Sequence, residues 1–78
     1  MKTQWAYYDF RTEIVTDNVG GSVAVQLHRT GTSGEEVLAA AVTYWDADGQ
    51  FQVSVYVKQV PVTILEVVIA EARAAVPT

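Results

Sequence analysis

The sequence predicts an α+β domain: a four-stranded antiparallel meander with one C-terminal helix packed on one face, in the order ββββα. Three observations carry this. Apolar and polar residues alternate with a period of two over most of residues 4–58. The alternating runs are separated by clusters of Gly, Asn, Asp and Ser, which suit tight turns. After Pro61 the turn residues disappear and a run of good helix formers begins. With 78 residues, half of them apolar, the chain is too hydrophobic to stay disordered and forms a single domain over 1–78.

The first strand is read over 4–15. Ala6, Tyr8, Phe10, Thr12 and Ile14 fall on one face, and Asp9, Arg11 and Glu13 fall on the other. The cluster Thr16-Asp17-Asn18-Val19-Gly20-Gly21 then reverses the chain. Residues 22–29 form the second strand, with Val23, Val25 and Leu27 inward and Ser22, Gln26 and His28 outward. Thr30-Gly31-Thr32-Ser33-Gly34 reads as a loop.

Residues 35–45 admit two readings. Ser33 and Glu36 spell a capping box, which would start a short helix with Val37, Leu38, Ala41, Val42 and Trp45 on one side. Against that, Val42-Thr43-Tyr44-Trp45 is β-branched and aromatic and runs into Asp46-Ala47-Asp48-Gly49, a type I turn with Gly49 in the left-handed conformation. A hairpin needs a strand on both sides, so this stretch is assigned as a strand, apolar on both faces. The fourth strand is plain: Phe51, Val53, Val55 and Val57 alternate with Gln50, Gln52, Ser54, Tyr56 and Lys58. Pro61 suits a first helical turn, and the helix is expected over 62–76 with Pro77 as its stop. Leu65, Val68, Ile69, Ala72 and Val76 form its apolar stripe.

One helix covers only one face of such a sheet. The other face is expected to carry Trp5 and Tyr7 from the first strand and Tyr56 from the fourth. A bulged turn at the last hairpin would pair Trp45 with Phe51 and leave Leu38, Val42 and Tyr44 outside. A four-residue loop would instead leave Trp45 and Val37 outside. Either way apolar surface remains, and a small core adds a second reason to associate, so a homodimer or higher oligomer is expected.

Composition narrows the function classes. The chain has no cysteine and one histidine, so disulfides and thiolate metal sites are excluded, and neither a metal nor a cofactor is expected. Nine acidic against five basic residues give a net charge of −4, which disfavours nucleic acid and anionic membranes as partners. The start, Met-Lys-Thr-Gln-Trp, lacks a secretory apolar stretch, and no apolar run approaches the ~18 residues of a membrane span, so a cytoplasmic protein is expected.

Candidate sites weigh toward structural roles. His28 could meet Ser22, Gln26 and Ser54 on its face, with Asp9 or Glu13 across the hairpin, yet no nucleophile signature accompanies it. Asp46, Asp48 and Gly49 fail as a calcium loop because Tyr44 and Val55 stand where acids are needed. Gly31-Thr32-Ser33-Gly34 spells an RNA-binding GxxG but has no basic residue. Trp5, Tyr7, His28, Tyr44, Trp45 and Tyr56 are therefore taken as candidate binding residues, with no catalytic residue assigned.

The order ββββα, with Tyr44-Trp45-Asp46-Ala47-Asp48-Gly49 at the third hairpin, is similar to dimeric transcriptional coactivators that bind single-stranded DNA on curved sheets. The similarity covers those residues and the topology. It implies basic strands for the nucleic acid, where this chain has mostly Gln, Ser and Thr.

The expected function is a small non-catalytic binding module that self-associates through an apolar, aromatic-bearing surface and recognises a protein partner. Three alternatives stand beside it. One is an acidic inhibitor, of antitoxin or immunity type, of a basic protein. Another is a ligand-binding protein or enzyme with a site at the sheet or dimer seam. The third is a single-stranded nucleic-acid binder.

Overall fold

The computed structural model describes residues 1–76. Five strands, β1 (Lys2–Trp5), β2 (Tyr8–Asp17), β3 (Ser22–Thr30), β4 (Glu36–Trp45) and β5 (Gln50–Val55), form one antiparallel sheet in sequence order, followed by α1 (Val62–Ala75). The α+β class and the C-terminal helix are as predicted. The strand count is five, because the stretch read as one first strand is a hairpin.

Trp5 pairs with Tyr8 across a two-residue turn of Ala6 and Tyr7. Ala6 has φ +54°, a left-handed conformation normally given to glycine. No Gly, Asn or Asp marks this turn, so alternation ran through it unbroken. Its consequence is large: residues directly opposite in an antiparallel pair share a face, so Trp5 joins Tyr8 on the helix side instead of facing away.

The other turns follow their chemistry. Asp17 closes the β2–β3 loop, its Oδ1 accepting from the N–H groups of Val19 (3.1 Å) and Gly20 (2.9 Å). The β4–β5 loop has four residues, with Trp45 opposite Gln50 and Gly49 at φ +64°. That register puts Tyr44 opposite Phe51 on the helix side, their rings 5.0 Å apart, and leaves Trp45 on the other face.

The segment 36–45 is a strand. Glu36, which would have capped a helix, instead bonds Arg11 across the sheet. A register shift between Leu27 and His28 accommodates one extra residue, Ala39, so that both Ala39 and Ala40 are fully buried. The same bulge puts Leu38, opposite His28, on the face of Trp45, and Val37, opposite Arg29, on the helix side. This reverses the placement expected for Val37.

The core joins Phe10, Val25, Leu27, Ala39, Ala40 and Val42 of the sheet to Ile64, Val68 and Ala72 of α1. Small side chains at Ala39, Ala40 and Ala72 let the helix approach the sheet closely, and each fully buried Leu or Val contributes roughly 1.5–3 kcal/mol. The apolar arc of α1 expected from the sequence extends beyond the stripe to Ile64, and the buried residues are Ile64, Val68 and Ala72, while Leu65 and Ile69 are half-buried. Pro61 precedes the first helical residue as expected, and Pro77 lies outside the described residues.

α1 lies over β3 and β4. The flanks of its face are therefore left open: Val53 (47% exposed) and Val55 (49%) on β5, and Ile14 (59%) and Trp5 (48%) on the β1–β2 side. The face away from the helix is mainly hydrophilic. Register places Lys2, Gln4, Arg11, Glu13, Gln26, His28, Glu36, Thr43, Gln52 and Ser54 there, with Val15, Leu38 and Trp45 as its large apolar members. The expectation of an aromatic open face holds for Trp45 and is corrected for three other residues. Trp5 is on the helix side, Tyr7 (79% exposed) is in a turn, and Tyr56 lies beyond the end of β5. The surplus apolar surface exists, but it flanks the helix.

Candidate functional site

Two side-chain groupings bring chemistry together. On the polar face, Arg11 donates from Nε to Glu36 Oε2 (2.9 Å) and from Nη2 to Glu36 Oε1 (2.7 Å), a two-pronged pair. Nη1 of Arg11 is 3.6 Å from Glu13. His28 sits between the two carboxylates, Nε2 3.5 Å from Glu13 and Nδ1 3.8 Å from Glu36. The hydrogen-bonded Arg11 guanidinium holds the Glu36 carboxyl below its ordinary range, and the carboxylate in turn holds the guanidinium above its own. Of the neighbours expected for His28, Glu13 is present. Glu36 and Arg11 complete the group and no serine does, so the grouping carries no nucleophile and reads as an ion-pair lattice on the sheet.

The second grouping is an open groove at the end of the sheet where α1 begins. It encloses about 1100 Å³ and is lined by Trp5, Tyr8, Phe10, Arg29, Lys58 and Val62, among others. Each wall follows from the local fold. The β1–β2 turn brings Trp5 beside Tyr8, and the segment between β5 and α1 supplies Lys58, Val60 and Pro61. Arg29 continues the inward series of Val23, Val25 and Leu27 on β3, past the bulge. Its guanidinium lies 4.3 Å over the Tyr8 ring, which fixes the orientation of the planar fork. Among the described residues neither Arg29 nor Lys58 forms an ion pair, and no acidic side chain lines the groove. The first turn of α1 has no acidic residue and no side-chain cap, so its free N–H groups add positive potential at the lip.

Of the candidate binding residues, only Trp5 belongs to this groove. Tyr44 packs on Phe51 beneath α1, where Arg73 lies 6.0 Å from the Phe51 ring. Trp45 and His28 are on the polar face, and Tyr7 and Tyr56 are exposed outside the strands. Tyr8, Arg29 and Lys58 were not singled out in advance. Arg29 did carry a signal: a cation at an inward position of a strand.

A third polar node ties the chain start to the helix. The Met1 ammonium donates to Thr12 Oγ1 (2.7 Å) and Glu71 Oε1 (2.7 Å), and the Thr12 hydroxyl donates to the same carboxylate at 3.1 Å. This node ties the start of β1 and the middle of β2 to α1, on the helix away from its first turn.

Among the described residues no cluster of three or more His, Asp or Glu could hold a metal ion, and no helix is long and apolar enough to cross a membrane. No known protein family matches the chain, and no curated protein and no solved structure matches it.

Proposed function

We propose that this chain is a small non-catalytic binding module that pairs with a second copy and recognises a protein partner through its aromatic surface. The observation that supports self-association is the character of β5. Edge strands in stable monomers are guarded by Lys, Pro, bulges or shortness. β5, with sequence Gln-Phe-Gln-Val-Ser-Val, has no charge and no proline, and it bears half-exposed Val53 and Val55. The opposite edge, β1, is four residues long and carries Lys2.

Antiparallel pairing of β5 with β5 of a second copy satisfies the outward backbone groups of both strands. It places both helices on one side of a continuous sheet and brings the valines of the two copies together. No like charges meet at this edge despite the net charge of −4.

Sedimentation equilibrium tests the pairing. The wild-type chain is expected to be dimeric at micromolar concentration, and Val53→Lys, which adds a charge to an already exposed site, is expected to be monomeric with an unchanged far-ultraviolet spectrum. A monomeric wild type, or a Val53→Lys variant that dimerises equally well, would refute the β5 pairing.

A further inference from the structure

We infer that the groove between the β1–β2 turn and the start of α1 binds an extended acidic peptide segment with an apolar anchor, contributed by a protein partner. The inference rests on the reading of the chain as a binding module and names the chemistry of one recognition site.

Charge carries the first half. The chain is acidic overall, yet this groove gathers Arg29 and Lys58 from different elements, gives neither an ionic partner among the described residues, and has no acid on its walls. An arginine held over an aromatic ring keeps its outer N–H groups available and has already lost much of its rotational freedom. Binding a carboxylate there therefore costs little further ordering. Lys58 supplies a second, more mobile positive charge at the β5–α1 connection.

Shape and apolarity carry the second half. Trp5, Tyr8, Phe10, Val60, Pro61 and Val62 form an apolar trough of the kind that takes an aromatic or aliphatic side chain. At about 1100 Å³ and open to solvent, it exceeds the ~300–1,000 Å³ usual for pockets that engulf small molecules. Two cations are too few for a phosphate track, which needs a basic stripe along the strand, whereas sparsely placed carboxylates on a peptide match them.

The test uses the fluorescence of Trp5 in a Trp45→Phe background, so that the only remaining indole lies in the groove. The probe is an acetylated, amidated hexapeptide of two glutamates, phenylalanine, leucine and two glutamates. A saturable change in Trp5 emission that weakens as salt rises is expected. Arg29→Gln and Lys58→Gln should each weaken binding about tenfold, since each removes a charge-assisted contact. The far-ultraviolet spectrum of each variant confirms that it is folded.

Equal binding of the peptide with lysine in place of glutamate, or no saturation at millimolar probe, would overturn the inference. So would tighter binding of a thymidine oligonucleotide or of indole acetate than of the peptide. Repeating the titration in Val53→Lys separates the two proposals: peptide binding by the monomeric variant upholds the groove whatever becomes of β5 pairing, and a wild-type dimer that Val53→Lys dissociates, with no peptide binding in either, upholds the pairing and overturns the groove.

Discussion

The two flanks of α1 differ in kind. On the β5 side the uncovered surface is aliphatic and uncharged, built from Val53 and Val55 along an open strand edge. On the β1–β2 side Ile14 and Trp5 are exposed, and at the end of the sheet the surface turns aromatic and cationic, where Trp5 and Tyr8 meet Arg29 and Lys58. A helix of 14 residues packs chiefly on β3 and β4, so both flanks arise from one shortage of cover. We assign each gap an occupant by its chemistry: backbone pairing and methyl packing suit one, and a side chain with a carboxylate suits the other.

The largest expected effect breaks the comparison by removing what the flanks share. Leu27 is fully buried between them, and Leu27→Ala should cost about 2–5 kcal/mol. A domain of this size rarely has more than roughly 3–5 kcal/mol to lose. Thermal melting followed by circular dichroism should show a chain largely unfolded at room temperature, with both surfaces gone.

A smaller loss should sharpen the contrast. Glu71→Ala removes the acceptor shared by the Met1 ammonium and Thr12 at the β1–β2 flank, and should cost about 1–2 kcal/mol in urea unfolding. It should loosen the attachment of β1 and β2 to α1 and leave the sedimentation behaviour unchanged, because the node lies far from β5.

An opposite change is expected at the turn beneath the groove. Ala6 sits at positive φ, so Ala6→Gly should stabilise the fold by about 1 kcal/mol, and Ala6→Val should destabilise it, both read from chemical denaturation.

The smallest effect concerns the polar face, which belongs to neither flank. Arg11 holds the Glu36 carboxyl below its ordinary value of 4.5. A carboxyl depressed in the folded state contributes stability that is present above the unfolded value and is lost as pH falls through the folded one. Wild type should therefore exceed Glu36→Gln in stability by its full margin above about pH 4.5, and the margin should shrink as pH falls below that through the lower, folded-state value. Both partners are exposed and the difference should shrink in high salt.

Much of the fold was legible because alternation, turn residues and a proline-led helix agree with one another. Val25 and Leu27 in the core, Gly49 in its left-handed turn and the α1 start all follow from those local rules, whereas Val42 depended on the hairpin register. The β1–β2 hairpin was not legible, because Ala6-Tyr7 carries none of the residues that mark a turn, and the positive φ usually given to glycine falls on Ala6. That single omission moved Trp5 to the wrong face. The bulge at Ala39 is equally silent in sequence, since Val37 to Val42 is apolar at every position and any register satisfies the pattern. The groove went unread for the same reason: Trp5 and Lys58 are far apart in the chain and meet only once the hairpin and the β5–α1 connection are in place.

Amide hydrogen exchange across a dilution series tests most directly whether the two flanks have different occupants. The outward-pointing amides of β5 should be protected at high protein concentration and lose that protection on dilution, while those of β1 exchange at the same rate throughout. Equal and concentration-independent exchange at both edges would contradict the assignment of β5 as the surface where copies meet.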